Sequence, residues 1–295
     1  ALAQRILRFR PRRVGEIGCK AGWLLWRTAP YCRRYAASEL SGEALRWLEG
    51  VLADRPRLHR KVHLYPGLLG PFAAPGSVLW AQSSSAMGLP PNRPAPSPGR
   101  RRPLPESFDL VVFTSTVQYF PSLESFLRAL QTVIDRTALG GHILLTDVRH
   151  LGLQRAQAVA LECLLADPSL SREQLRRRVN ARIQRDPELW VDPEFFYELL
   201  QRLPRLSGVE ILCKRGPLQN EVVQYRYDVV LWLDRPPEPL PEKQVPWDPT
   251  LYNPSQPDWI PSALEEGLVL RGVPNARVQK DLRLEELLDL SLIHI

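Results

Sequence analysis

Phe108–Thr114, FDLVVFT, is a short apolar run rich in β-branched and aromatic residues, and it reads as a strand buried on both faces. A strand of that kind belongs to a parallel sheet, because only helices on both sides remove both faces from water. The next residues agree. Gln118-Tyr119-Phe120 is a polar, aromatic turn. Pro121-Ser122 opens an amphipathic helix with Leu123, Phe126, Leu127, Leu130 and Val133 on one face. Strand, site loop and helix form the unit of doubly wound α/β folds, where ligands sit at the carboxyl ends of the strands.

The alternation recurs along the chain. Arg12–Ile17 reads as a first strand, Gly18–Gly22 as the turn after it, and Trp23–Cys32 as a helix. Arg34–Ser38 is a second strand ending on Glu39, and Ser41 is placed to cap the next helix. Val62–Tyr65 and His142–Asp147 are further strands. After Arg149 the pattern turns helical: Leu151–Leu165, Ser171–Ile183 with Gln174 completing a capping box, and Pro193–Arg202 behind an Asp192 N-cap. Val209–Cys213 and Tyr225–Leu233 read as an antiparallel closing pair, with Tyr225 and Tyr227 on one face and Arg226 on the other. The expectation is an α/β fold with a mostly parallel sheet, antiparallel closing strands and a helical cap over 150–204.

One stretch breaks the pattern. Eight prolines lie between Pro75 and Pro105, with Arg100-Arg101-Arg102 among them. Such a run buries too little apolar surface to offset its ordering entropy, so 66–107 is expected to be a disordered Pro/Arg-rich insertion. An active-site lid, an inert insertion and a stretch read in a shifted frame all fit it.

The excess of 39 Lys+Arg over 32 Asp+Glu suggests an acidic partner, but the arginines are scattered and no basic stripe with interleaved aromatics appears. A nucleic-acid partner is therefore disfavoured. The four cysteines, Cys19, Cys32, Cys163 and Cys213, lie in different expected elements without CxxC spacing, so neither a metal site nor a disulfide framework is expected. No apolar run reaches membrane-spanning length, and reduced thiols with no signal peptide make a cytoplasmic location the expectation.

Three motifs together carry a family resemblance. VQYFPS, TDVR at Thr146–Arg149 and NEVVQYRYDVV at Asn220–Val230 resemble the methyltransferase domains built into nonribosomal peptide synthetases and modular polyketide synthases. The resemblance covers most of Val14–Leu233 and implies a class I, Rossmann-like fold with S-adenosyl-L-methionine as cofactor. It also implies a phosphopantetheinyl carrier protein and neighbouring megasynthase domains as partners. Residues 1–233 are then the methyltransferase domain, and 234–289 a Pro-rich linker and the start of a following segment. Ala1–Phe9 begins inside a helix without an initiator Met, so a fragment is expected. Leu290–Ile295, LSLIHI, matches a translated transposon end used in preparing sequencing libraries and is expected to be an adapter artefact.

The resemblance distributes roles. Glu16-x-Gly18-x-Lys20-x-Gly22 stands where the family has E/D-x-G-x-G-x-G, the glycines allowing close backbone approach to the cofactor. Lys20 replaces the middle glycine, a departure that could crowd the cofactor, and Gly15 is unusual inside a strand. Glu39 matches the acidic residue about 20 positions on that holds ribose hydroxyls, or else serves as a favourable charge near a helix N-terminus. Thr114, Ser115 and Gln118 follow the fourth strand, where the family places cofactor and substrate contacts. No carboxylate follows Tyr65 to meet adenine. Asp147, Arg149, Asn220 and Glu221 are the catalytic candidates. Arg149 would pair with Asp147 or hold the acceptor's carbonyl, and Glu221 would accept from the nucleophilic amine. Gln118, Asp147, Arg149 and Asn220 or Glu221 would line one cleft beside the Gly18–Gly22 turn. The expected reaction is N-methylation of a carrier-bound aminoacyl thioester. The alternatives are C-methylation of a β-ketoacyl thioester, with His150 as the histidine to consider for a base, or an inactive scaffold disabled at Lys20.

Overall fold

The computed structural model describes residues 2–69, 72, 107–215, 218–239, 243–248, 250 and 269–290. Helix α1 (Leu2–Arg8) leads into β1 (Arg13–Ile17), α2 (Trp23–Thr28), β2 (Arg34–Glu39), α3 (Gly42–Ala53), α4 (Pro56–His59) and β3 (Val62–Pro66). Then come β4 (Phe108–Thr114), α5 (Leu123–Asp135) and β5 (Thr137–Arg149). The cap helices are α6 (Gln154–Leu165), α7 (Arg172–Arg185) and α8 (Pro193–Arg202). β6 (Leu206–Cys213), α9 (Glu221–Tyr225) and β7 (Arg226–Leu233) close the sheet. A small pair, β8 (Gln244–Pro246) and β9 (Val269–Arg271), precedes α10 (Gln279–Asp289).

The seven-stranded sheet runs β3-β2-β1-β4-β5-β7-β6. β1 to β5 pair in parallel, while β7 is antiparallel to both β5 and β6. This is the class I methyltransferase arrangement, with the order reversing beside β1, so the carboxyl ends of β1 and β4 flank the switch point. Strand alternation sorts the core. Leu110, Val112, Leu144 and Val230 meet Ile6 of α1 and Leu24 of α2 on one face. Val111, Phe113, Ile143, Leu145 and Val229 meet Phe126, Leu130 and Val133 of α5 and Phe196 of α8 on the other. Each such side chain contributes about 1.5–3 kcal/mol by leaving water.

Local chemistry sets the element ends. Ser41, Ser122, Ser171 and Asp192 cap α3, α5, α7 and α8, with the Ser171–Gln174 box complete. α2 stops at Thr28 rather than Cys32, because Pro30 lacks an N–H and the chain tightens into a 3-10 turn over Ala29–Tyr31. β5 starts earlier than its apolar run suggests. Arg205 donates to the carbonyls of Ile134, Thr137 and Ala138, holding this edge in place. Leu123 is exposed, and Ile134 takes the place expected of it in the buried stripe of α5.

Two expectations are corrected. Tyr225 is not on a strand: Asn220 caps a one-turn helix that ends at Tyr225, and its hydroxyl donates to Asp281 at 2.6 Å. The segment beginning at Pro66 is not loose at its start. Leu68, Leu69 and Phe72 are buried, and the Phe72 ring lies 4.9 Å from that of Phe108. That packing explains Gly15, where a Cβ would fall 2.4 Å from Phe72 Cζ. The rest of the expected insertion (70–71 and 73–106), most of the Pro-rich linker and 291–295 lie outside the described residues. No described helix is long and apolar enough to cross a membrane.

Past β9 the chain returns to the cap. Leu284 and Leu288 of α10 pack with Ala158, Val159 and Val179. Arg155 pairs with Asp289 at 2.6 Å, and Arg277 donates to the Lys214 carbonyl at 2.7 Å.

Candidate functional site

Glu16 sits one residue from the end of β1, fully buried between β2 and β4. It accepts hydrogen bonds from the Tyr35 hydroxyl at 2.8 Å and from Thr114 Oγ1 at 2.9 Å. Burial pushes its carboxyl from the ordinary 4.5 up to about 7; these two hydrogen bonds counter that in part, and the charge of Glu39 adds to it.

The turn after β1 is left-handed at alternate residues: φ is 80° at Gly18, 50° at Lys20 and 73° at Gly22. A Cβ at Gly18 would fall 2.1 Å from Thr116 Cγ2, which ties the turn to the end of β4. At Gly22 it would fall 2.7 Å from Leu48 Cδ2. The glycine that the pattern asks for at 20 thus answers a backbone demand, and Lys20 meets it at a cost of about 1–2 kcal/mol. Its side chain is exposed. Glu39 stands against this turn, Oε2 accepting from the Lys20 N–H at 2.8 Å and Oε1 from Leu40 and Ser41 at 2.8 and 3.0 Å.

Beyond the turn, Thr114, Ser115 and Asp147 form a continuous polar edge. Thr114 holds Glu16, and the Ser115 N–H donates to Thr146 Oγ1 at 3.1 Å. Ser115 Oγ donates to Asp147 Oδ2. Ser115, one residue past β4, and Asp147, within β5, both have left-handed backbones, at φ 50° and 59°. Asp147 lies in the irregularity of the β5–β7 register between Leu145 and Val148. Gln118, in the 3-10 turn Val117–Tyr119, donates to the Ser115 carbonyl at 3.1 Å. Its Oε1 and Thr116 Oγ1 are buried without a partner among the described residues.

Arg149 goes elsewhere. Its guanidinium meets Glu188 at 2.6 Å, Asp186 at 3.2 Å and Gln157 at 3.1 Å, and stacks 3.8 Å from the centre of the Trp190 ring. It ties the cap to the sheet, whereas pairing with Asp147 was one of its two expected roles. Glu221 is bound by Arg226 through bonds of 2.9 and 3.1 Å. Asn220 is exposed, its Oδ1 accepting from the Val223 N–H at 3.0 Å as a helix cap. Arg149, Gln157, Trp190, Glu221 and Arg226 line a cleft of about 870 Å³ between cap and sheet. Asp147, Gln118 and Asn220 are not among its lining residues. The charge of Arg226 still reaches Asp147, so cleft and polar edge are electrostatically joined. His150 packs edge-on against Tyr227, ring centres 5.5 Å apart, with Nδ1 buried and unpartnered among the described residues.

Lys214, Asp228 and Arg5 were missed by the sequence reading. Lys214 Nζ lies 2.6 Å from Asp147 Oδ1 and 2.8 Å from Asp228 Oδ1; Asp228 also meets Arg5 at 3.0 Å. A signal existed. Asp228 shares a strand face with Val230 and Trp232, and a carboxylate on such a face requires a cationic partner.

These residues fit S-adenosylmethionine. A carboxylate closing β2 suits a ribose diol, the glycine-bearing turn is exposed at Lys20 and Ala21 beside the switch point, and Gln118 Oε1 and Thr116 Oγ1 are orphaned acceptors behind β4.

No family model matches the chain. It is 33% identical over 287 residues, 95% of its length, to the chondramide synthase of Chondromyces crocatus. It is 34% identical over 241 residues, 81% of its length, to a probable non-canonical nonribosomal peptide synthetase of Salinispora arenicola. The chain spans only 6% and 3% of the lengths of these relatives. Among solved structures, the N-methyltransferase NodS of Bradyrhizobium japonicum overlaps with 79% of the chain and 95% of its own, at 16% identity and a TM-score of 0.43. A putative O-methyltransferase of Klebsiella pneumoniae overlaps with 79% of each chain at 16% identity and a TM-score of 0.42. These overlaps are loose, and the fold is read from the strand order itself. With that order, the glycine turn and the similarity to synthetases over nearly its whole length, the chain has the class I methyltransferase fold and resembles the methyltransferase domains embedded in nonribosomal peptide synthetases.

Proposed function

We propose that this domain N-methylates an aminoacyl group held as a thioester on the phosphopantetheine arm of a carrier protein. When bound, S-adenosylmethionine supplies a methyl group on a cationic sulfur, which an amine lone pair can displace. Glu39, the Gly18–Gly22 backbone and the Gln118 region would hold the cofactor, and the cleft lined by Glu221 and Arg226 would admit the acyl chain. Asp147 would accept a hydrogen bond from the amine and aim its lone pair; much of the acceleration in such a site comes from positioning.

The observation that carries the choice of nitrogen over carbon is the state of Asp147. Burial would raise its carboxyl, but the charge and hydrogen bond of Lys214 and the bond from Ser115 outweigh this and hold it below the ordinary carboxylate range. Such a carboxylate is a good hydrogen-bond acceptor and a poor base. An amine near pKa 8, lowered further by its thioester, needs little more than an acceptor. Carbon methylation α to a thioester needs a base whose pKa lies near the working pH. Glu16 has such a pKa but is sealed behind Tyr35 and Thr114, without exposed surface.

The test is regiochemical. The domain is incubated with methyl-labelled cofactor and, in parallel, aminoacyl and β-ketoacyl pantetheine thioesters, and the product is fragmented in a mass spectrometer. Label on the amine nitrogen is expected. Label on the α-carbon of the β-ketoacyl thioester, with the aminoacyl thioester untouched, would overturn the reading.

A further inference from the structure

Asp147 and Asp228 are brought face to face by the register irregularity in β5: the Asp147 N–H donates to Asp228 Oδ1 at 3.1 Å. Carboxylates taken out of water at such a point need a cationic partner. Lys214 is that cation, 2.6 Å from one and 2.8 Å from the other, at the end of β6. The remaining charged or titratable neighbours fall into place around it. Arg5 of α1 takes the far oxygen of Asp228, Arg226 at the start of β7 acts on Asp147 from a distance, and Glu221 is occupied by Arg226. Ser115, just past β4, and Thr146, the neighbour of Asp147 in β5, present only hydroxyls.

The lysine is itself held. Its side chain is 14% exposed, and its carbonyl accepts from Arg277, which belongs to the segment that docks α10 on the cap. Its two carboxylates differ in position. Asp228 is 5% exposed and is closed off by Arg5, whereas Asp147 turns its second oxygen to Ser115 at the carboxyl edge of β4 and β5, where acceptors reach the fold. Two adjacent left-handed non-glycine residues, Ser115 and Asp147, mark the same point, and backbone strain of this kind gathers at functional sites.

We infer that Lys214 is a positioning residue for methyl transfer: by bridging Asp147 and Asp228 it keeps the Asp147 carboxylate charged and turned to Ser115, ready to receive the acceptor amine. The inference rests on the reading of Asp147 as the amine's partner. Lys214 touches no substrate and acts through Asp147 alone.

The experiment compares wild type with Lys214→Met, Lys214→Arg and the charge-balanced Lys214→Met/Asp228→Asn. Two readouts are taken: the carboxyl carbon NMR titration of Asp147 in the ligand-free domain, assigned by difference from Asp147→Asn, and the pH profile of kcat with an aminoacyl pantetheine thioester. Lys214→Met should move the Asp147 titration to higher pH, shift the acid limb of kcat the same way and lower kcat tenfold or more at pH 7. Lys214→Arg should restore both. The double variant removes one negative and one positive charge together, so it keeps the test available if the single variant does not fold. It should still lose kcat, because the lysine's hydrogen bond to Asp147 is gone. An Asp147 titration unmoved by Lys214→Met, or a double variant with wild-type kcat, overturns the role of Lys214. Asp147→Asn with wild-type turnover instead overturns the reading of Asp147, so the two failures are distinguishable.

Discussion

Glu16 offers a stability test that needs neither cofactor nor acceptor. Its carboxyl is fully buried, and burial raises its pKa from the ordinary 4.5 to about 7. Between those values the folded chain binds this proton more tightly than the unfolded chain does. Stability contributed by the group is therefore present at low pH and is lost as pH rises through the window. At 1.36 kcal/mol for each tenfold change, the loss between pH 5 and pH 8 is about 2.5 kcal/mol. Glu16→Gln copies the protonated form, with one oxygen to accept and one group to donate beside Tyr35 and Thr114, and it does not titrate. Urea unfolding of both proteins at pH 5, 6, 7 and 8 gives the difference directly. The Gln variant should gain about 2.5 kcal/mol on wild type across that range, most of it between pH 5 and pH 7. Parallel curves for the two proteins would mean that Glu16 is not held protonated, and the buried Glu16–Tyr35–Thr114 arrangement would be wrong.

Other outcomes rest on single contacts. Gly15→Val should destabilise by about 1–3 kcal/mol in denaturant melts, since its Cβ would meet the Phe72 ring at 2.4 Å; wild-type stability would mean that Phe72 does not pack there. Lys20→Gly should relieve a backbone cost of about 1–2 kcal/mol, partly offset by the glycine's entropy in the unfolded chain. The net gain is up to about 1 kcal/mol, visible as a Tm rise of a few degrees, with tighter cofactor binding beside it. A lower Tm would contradict the left-handed turn. Leu288→Ala should cost about 2–5 kcal/mol as a buried truncation and expose the cap to proteolysis between Ala158 and Val179. An unchanged melt would show that α10 does not belong to the folded unit.

Much of the sheet was readable from local patterns, because a doubly covered strand such as Val111–Phe113 has to be apolar at every position and stands out between polar turns. Caps were equally plain, since Ser41, Ser122, Ser171 and Asp192 act within three residues of themselves. Long-range placement was beyond the reach of pattern. Gly15 looks anomalous until Phe72, 57 positions later, is seen to fill the space above it. Alternation through YRYD put Tyr225 on a strand, but Asn220 winds one turn first and sends the hydroxyl to Asp281. Arg149 has the sequence position of a site residue and the surroundings of a tie to the cap. Lys214 belongs to none of the three motifs, and its meaning appears only when β5, β6 and β7 bring Asp147 and Asp228 to it.

The most direct test of the central claim, that the edge formed by β1, β2 and β4 is a cofactor site despite Lys20, is isothermal titration of the domain with S-adenosylmethionine, wild type against Glu39→Ala. Saturable one-to-one binding is predicted for wild type, displaced by S-adenosylhomocysteine. Glu39→Ala should weaken it by about 1.5–3 kcal/mol, the range for hydrogen bonds to a charged group. Equal affinity in the two proteins, or no saturable heat in wild type, would contradict the account.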